Sequence, residues 1–282
     1  MPDTAPPLEN RLLAALPADI YRRLHPHLER ITLKLKQVLY EEGDVIDYVY
    51  FPNNALISLV SKMKNGTSAE VGMVGSEGMV STSVFMGGLT MPYQAIVQGS
   101  NGAMKMSAAI LREEFDRGGP LQILLLRYTH ALHIQVSQTA ACNRLHSLDE
   151  RLARWLLMTH DRLPSDRLEL TQEFLSTMLG VERSGVTLAA ITLQGEGLIK
   201  YSRGKITVLD RTRLDAGSGL RGGTGEAGRA QKRRDSNGQE CVSHGHNIRR
   251  VGGWPLAVRR SKREARCAMR DVRCAMRDVG AA

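Results

Sequence analysis

Between Leu33 and Met106, short apolar runs alternate with turn-forming residues. The runs are Tyr48–Phe51, Leu56–Val60, Ala69–Val74, Tyr93–Val97 and Ala103–Met106, rich in Val, Ile, Tyr and Phe. Between them lie Pro52-Asn53-Asn54, Asn65-Gly66, Gly75, Gly87-Gly88 and Gly99-Ser100-Asn101-Gly102. Many short strands separated by such turns predict an antiparallel sandwich or barrel-like roll. After Gly118-Gly119-Pro120 the period changes: Leu121, Leu125, Tyr128, Leu132, Val136 and Thr139 recur at three- and four-residue spacing, with no Gly or Pro until Pro164. This predicts a long amphipathic helix with proline in its first turn. Its stripe must pack on something, either its own domain or a second copy of itself, and periodicity does not separate the two. A second helix follows, with Leu148, Leu152, Trp155, Leu156 and Thr159 on one face. Leu168-Glu169-Leu170 is strand-like.

The stretch from Thr171 to Gln194 carries the chemistry. Thr171 is a natural N-cap, and Phe174, Leu175, Met178 and Leu179 give two turns of apolar face. Gly180 supplies a positive φ at the helix end, and a second helix then turns Val186, Ala189, Ala190 and Leu193 inward. Glu182, Arg183, Ser184 and Thr187 are left outward at its start. Gly195 to Lys200 ends that helix, and Tyr201 to Leu209 reads as a hairpin. Together these predict a winged helix-turn-helix, whose second helix enters the DNA major groove. The predicted DNA-contacting set is Thr171, Gln172, Arg183, Ser184, Thr187, Lys200, Arg203 and Lys205. Arg183 has the fork for a bidentate guanine contact, Ser184 and Thr187 reach bases or phosphate, and the wing cations meet phosphates. Helix-turn-helix units also occur in proteins that never touch DNA; the basic wing favours the DNA reading here.

Charge, once located, weakens one tempting inference. The net charge is +9 and the isoelectric point 9.6, yet residues 1–214 hold 23 Lys+Arg against 22 Asp+Glu, and residues 215–282 hold 15 against 7. The basicity belongs to the tail, so it says little about the folded part. That tail is Gly-, Arg- and Ser-rich, and repeats Arg-Cys-Ala-Met-Arg-Asp-Val at 266–272 and 273–279. It lacks the apolar surface to offset ordering entropy, so disorder is expected. Cys142, Cys241, Cys267 and Cys274 form no Cys-x-x-Cys pair, which argues against a zinc site or disulfide framework. No secretory leader or membrane-length apolar run is evident, so a cytoplasmic location without membrane contact is expected. No cofactor is indicated. Gly217-Ser-Gly219-Leu-Arg-Gly222 matches a dinucleotide-binding pattern in letters but opens no helix, and no catalytic constellation appears, so an enzyme is not expected.

Residues of about 33–214 resemble the Crp/Fnr superfamily of bacterial regulators. The matching text is Tyr50-Phe51-Pro52, Leu56 to Val60 and Glu70 to Gly78 in the roll, then Leu170-Thr171, Gly180 to Ser184, Val186-Thr187 and Gly197-Leu-Ile199. The resemblance implies an α+β chain with an antiparallel β-roll (1–119), a dimerisation helix (120–146), a winged helix-turn-helix (147–214) and a disordered tail (215–282). It implies double-stranded DNA, a second copy of the chain and RNA polymerase as partners, and it matches the family's base-reading arginine to Arg183. Ser184 and Leu188 stand where catabolite-activator members have Glu and a second Arg, which implies a different DNA site. Cyclic-nucleotide-binding relatives hold the phosphate with an arginine of the roll, but no arginine lies between Arg30 and Arg112. Cyclic AMP is therefore not expected. An iron–sulfur reader is excluded by the lack of cysteine before Cys142. His25, His27, His130 and His133 read as surface or packed histidines rather than haem ligands, and the small-molecule effector stays open. The rival reading is a small-ligand sensor acting through a protein partner, with the winged unit as docking surface.

Overall fold

The computed structural model describes residues 9–163 and 165–218. Two short helices, α1 (Arg11–Ala14) and α2 (Ala18–Leu24), come first. Buried Asn10 caps α1 by accepting from the Leu13 amide at 3.0 Å, and its side-chain amide donates to the carbonyls of Pro52 (2.7 Å) and Gly78 (3.0 Å). These bonds satisfy a buried polar group and fix both helices on the roll, whose core Leu13, Ile20 and Leu24 close. Neither helix is long enough to display a period, and the sequence pattern predicts no element there.

The roll holds β1 (Glu29–Leu33), β2 (Val38–Tyr40), β3 (Tyr48–Pro52), β4 (Leu56–Lys62), β5 (Ser68–Val74), β6 (Gln94–Gly99) and β7 (Asn101–Ser107). They pair antiparallel in two sheets, ordered β1-β7-β3 and β2-β6-β4-β5. Phe51 and Met106 from the first sheet meet Ile57, Leu59 and Val97 from the second in one core. All five predicted runs are strands. β1 and β2 are additional, and each buries a single side chain, Leu33 and Tyr40, which left too little apolar signal to read.

A short helix, α3 (Ala108–Asp116), leads to α4 (Pro120–Leu145), which opens at proline as expected. Leu121, Leu124, Leu125, Tyr128 and Leu132 of α4 join the core of the roll. The first half of the stripe therefore packs on its own domain. Val136 and Thr139 are only half-buried, and on another side of α4 Ile123 and Leu126 are each 50% exposed.

The C-terminal unit comprises α5 (Leu148–His160), β8 (Arg167–Glu169), α6 (Gln172–Leu179), α7 (Arg183–Gly195), β9 (Ile199–Ser202), β10 (Lys205–Val208) and α8 (Arg211–Gly217). A capping box between Ser147 and Glu150 starts α5. The second core gathers Leu152, Trp155, Leu156, Leu175, Met178, Val186, Leu193, Ile199, Ile206 and Leu214. It also takes in Leu56, Val60 and Met73 of the roll, so the two units share a seam. Leu214 is buried within α8, which continues to Gly217, so the boundary expected at 214 falls inside a helix. From residue 219 onward the expected disordered tail lies outside the described residues. Among the described residues no helix is long and apolar enough to cross a membrane.

Candidate nucleic-acid interface

The helix-turn-helix is built as the sequence pattern predicts. Thr171 Oγ1 accepts from the Phe174 amide at 3.2 Å and starts α6. Gly180 ends it in the left-handed region, φ 63° and ψ 44°, which a β-carbon would strain. A β-carbon there would also come within 3.1 Å of Ala69 Cβ, because the turn lies against β5 of the roll. Beyond the turn, α7 begins at Arg183 and buries Val186, Ala189, Ala190 and Leu193 against α5 and α6. The opposite face is open, with Arg183, Ser184, Leu188 and Ile191 exposed. The Arg183 guanidinium makes no hydrogen bond or ion pair among the described residues, so its five donors are free. Its charge is felt at Tyr201 on β9: burial raises the phenol pKa, and Arg183 opposes that rise.

Two of the predicted contacts are already engaged locally. Thr187 is half-buried and its hydroxyl donates to the Arg183 carbonyl at 3.0 Å, while Thr171 spends its acceptor on the cap. Ser184 is exposed, and Gln172 is the half-buried first residue of α6.

β8, β10 and β9 form the wing sheet, in that order. Its inner side chains, Leu168, Ile199, Ile206 and Val208, belong to the core. At the hairpin tip Arg203 (φ 49°) and Gly204 (φ 73°) both take positive φ, as a two-residue type I′ turn demands. The Leu170 amide donates to the Gly204 carbonyl at 2.8 Å, tying the tip to the start of α6. The tip thus lies beside Leu170 and Thr171. The register pairs Thr207 with both Lys200 and Arg167, and Lys205 with Ser202 and Glu169, all on the outer side. On that side Arg167, Lys200, Ser202, Arg203, Lys205 and Thr207 line a basic depression of about 500 Å³. Lys205 lies 3.4 Å from Glu169, with both side chains largely exposed. Such a surface pair contributes about 0–1 kcal/mol, so an incoming phosphate can displace Glu169. Arg167 was not among the predicted residues. Its position becomes evident only once β8 pairs with β10, since the intervening sequence is long.

Residues 150–216 match the family model of the Crp-like helix-turn-helix domain. Over these residues the chain is similar to that domain. No curated protein matches the chain. Solved structures share the fold over most of the described residues. A protein assigned to the Crp/Fnr family of transcriptional regulators from Eubacterium rectale aligns with a TM-score of 0.60 at 20% identity, covering 73% of this chain and 97% of its own. A Crp/Fnr-family regulator from Thermus thermophilus gives 0.56 at 20% identity, covering 69% and 100%. The c-di-GMP responsive global regulator of Xanthomonas campestris gives 0.57 at 15% identity, covering 69% and 100%. At these identities the likeness is one of fold. The family match itself covers the C-terminal unit alone.

Proposed function

We propose that the chain is a DNA-binding transcription regulator of Crp/Fnr type, acting as a homodimer on an inverted-repeat operator. One observation carries this reading: Arg183, exposed and unpaired, begins a helix whose opposite face is buried, beside a wing whose outer side is lined with cations. A helix in that position presents its first turns to base edges, while wing cations hold phosphates. In a dimer joined along α4, two such helices would meet half-sites about 34 Å apart, one turn of DNA. RNA polymerase is the partner expected of a regulator so placed.

The effector is not cyclic AMP in this reading. The roll has no arginine from residue 31 to 111, and buried Tyr128 of α4 lies against the backbone at Gly78, its hydroxyl donating to the Met79 carbonyl at 2.8 Å. Glu77, in the same loop, is held by Arg162 at 2.6 Å.

Two substitutions test the proposal. Arg183→Ala costs about 1–3 kcal/mol at the preferred site and relaxes the choice at one base pair, because a bidentate contact is lost. Lys205→Ala weakens all duplexes alike and lowers the slope of log affinity against log salt by about one. Equal weakening of every duplex by Arg183→Ala would make Arg183 a backbone anchor and pass base reading to Ser184. Binding to no duplex at all would favour the protein-partner reading.

A further inference from the structure

Resting on the DNA-binding reading, we infer that Leu188 reads the C5-methyl group of a thymine in each half-site. On α7 the residues farthest from the buried face are Ser184, Leu188 and Ile191, and the last two are 66% and 59% exposed. Neither gains from the fold what its size would give if buried, and an exposed isoleucine is a weaker helix former than alanine. They lie on the face of α7 that the fold leaves free, Leu188 one turn and Ile191 two turns beyond Ser184, and Leu188 is where a recognition helix meets base edges. In the major groove the only apolar feature of any base edge is the thymine methyl, which lies beside the O4 acceptor. A G·C pair there would put donors and acceptors against Leu188 with no partner for them, and those groups would stay unsatisfied. Leu188 therefore selects by burial on T and by unmet polar groups on G·C.

A protein partner fits this strip poorly. Two aliphatic side chains flanked by Ser184 and the Arg183 cation fall far short of the roughly 800 Å² per partner that stable protein interfaces bury. The cations Arg167, Lys200, Arg203 and Lys205 of the adjoining wing complement a polyanion.

The test uses the full chain to enrich duplexes from a randomised library, then resynthesises the enriched site with each thymine in turn replaced by deoxyuridine. That replacement removes only the methyl group. At one symmetry-related pair of positions, each replacement weakens binding about 4-fold, the loss expected for burial of one methyl group. Leu188→Ala binds the thymine and uracil duplexes equally, with unchanged thermal unfolding because the side chain is exposed. If every thymine tolerates uracil, or if the methyl preference persists in Leu188→Ala, the assignment to Leu188 is overturned while DNA binding stands. A library that yields no preferred site overturns the DNA-binding reading, and this inference with it.

Discussion

Glu70 is wholly buried on β5, where it accepts a hydrogen bond from the Trp155 indole at 3.1 Å across the seam. Burial raises its pKa from 4.5 to about 7, and the Ser58 hydroxyl, the Trp155 indole and the charges of Arg162 and Arg154 offset this only in part. The sign follows from proton binding. Between pH 4.5 and 7 the folded chain holds a proton that the unfolded chain has released, so this group's stabilising contribution is complete below 4.5 and is lost as pH rises through 7. Glu70→Gln keeps the oxygen that accepts from Trp155 and removes the charge. It should match the wild type at pH 4 and exceed it at pH 8 by on the order of 3 kcal/mol, as measured by urea unfolding at each pH. A difference that does not change with pH would show that Glu70 does not titrate in this range. The Asn10 side chain shows the contrasting solution, a buried polar group with all of its bonds made.

Helix α4 presents two stripes, and among the described residues only one is packed on the roll. Leu121, Leu125, Tyr128 and Leu132 rest on the roll, while Ile123, Leu126, His130, Ile134 and Ala141 follow one another along a different side. If this second stripe is the dimer seam, Leu126→Glu places two carboxylates face to face across a two-fold axis. Light scattering should then report a monomer for the variant and a dimer for the wild type at micromolar concentration, with circular dichroism unchanged. A variant that stays dimeric would move the interface elsewhere. The sequence made α4 legible because 26 residues keep one period, but it spoke of one stripe, since Ile123 and Leu126 look no different from core leucines until the partner face is known. The same limit applied to Leu188. Periodicity placed Val186, Ala189, Ala190 and Leu193 inward, and the outward leucine drew notice only as a departure from relatives. Gly180, the cap at Thr171 and the wing hairpin were legible because each is fixed by a few consecutive residues. Arg167 was not, because its place beside Lys200 depends on strand pairing over a long separation. Nor was the engagement of the Thr187 hydroxyl with its own helix.

At the scale of the molecule, the winged helix-turn-helix unit is docked on its own roll. Trp155 reaches Glu70, Arg162 pairs with Glu77, the Gln98 amide donates to the Thr159 hydroxyl at 3.3 Å, and the Gly180 turn lies on Ser68 and Ala69. Leu56, Val60 and Met73 complete the second core from the roll side. The seam therefore sets where α7 stands relative to α4 and, in the proposed dimer, where it would stand relative to the α7 of a second copy. Arg162 is the place to loosen it, since Arg162 and Glu77 are only 14% and 10% exposed. Removing the guanidinium leaves a nearly buried carboxylate without its counter-charge, a change that costs about 3–5 kcal/mol in comparable pairs. None of the proposed DNA-contacting residues is touched. Arg162→Ala should therefore leave the affinity for a single half-site unchanged. Affinity for the full inverted repeat should drop about 10-fold or more, because the second reading unit is no longer held at the effective concentration that a fixed geometry provides. Fluorescence anisotropy on the two duplexes separates these effects. An equal loss on both would mean that the substitution damages the reading unit itself. A gain on the full repeat would mean that the seam holds the two recognition helices out of register, and that releasing it is the activating step.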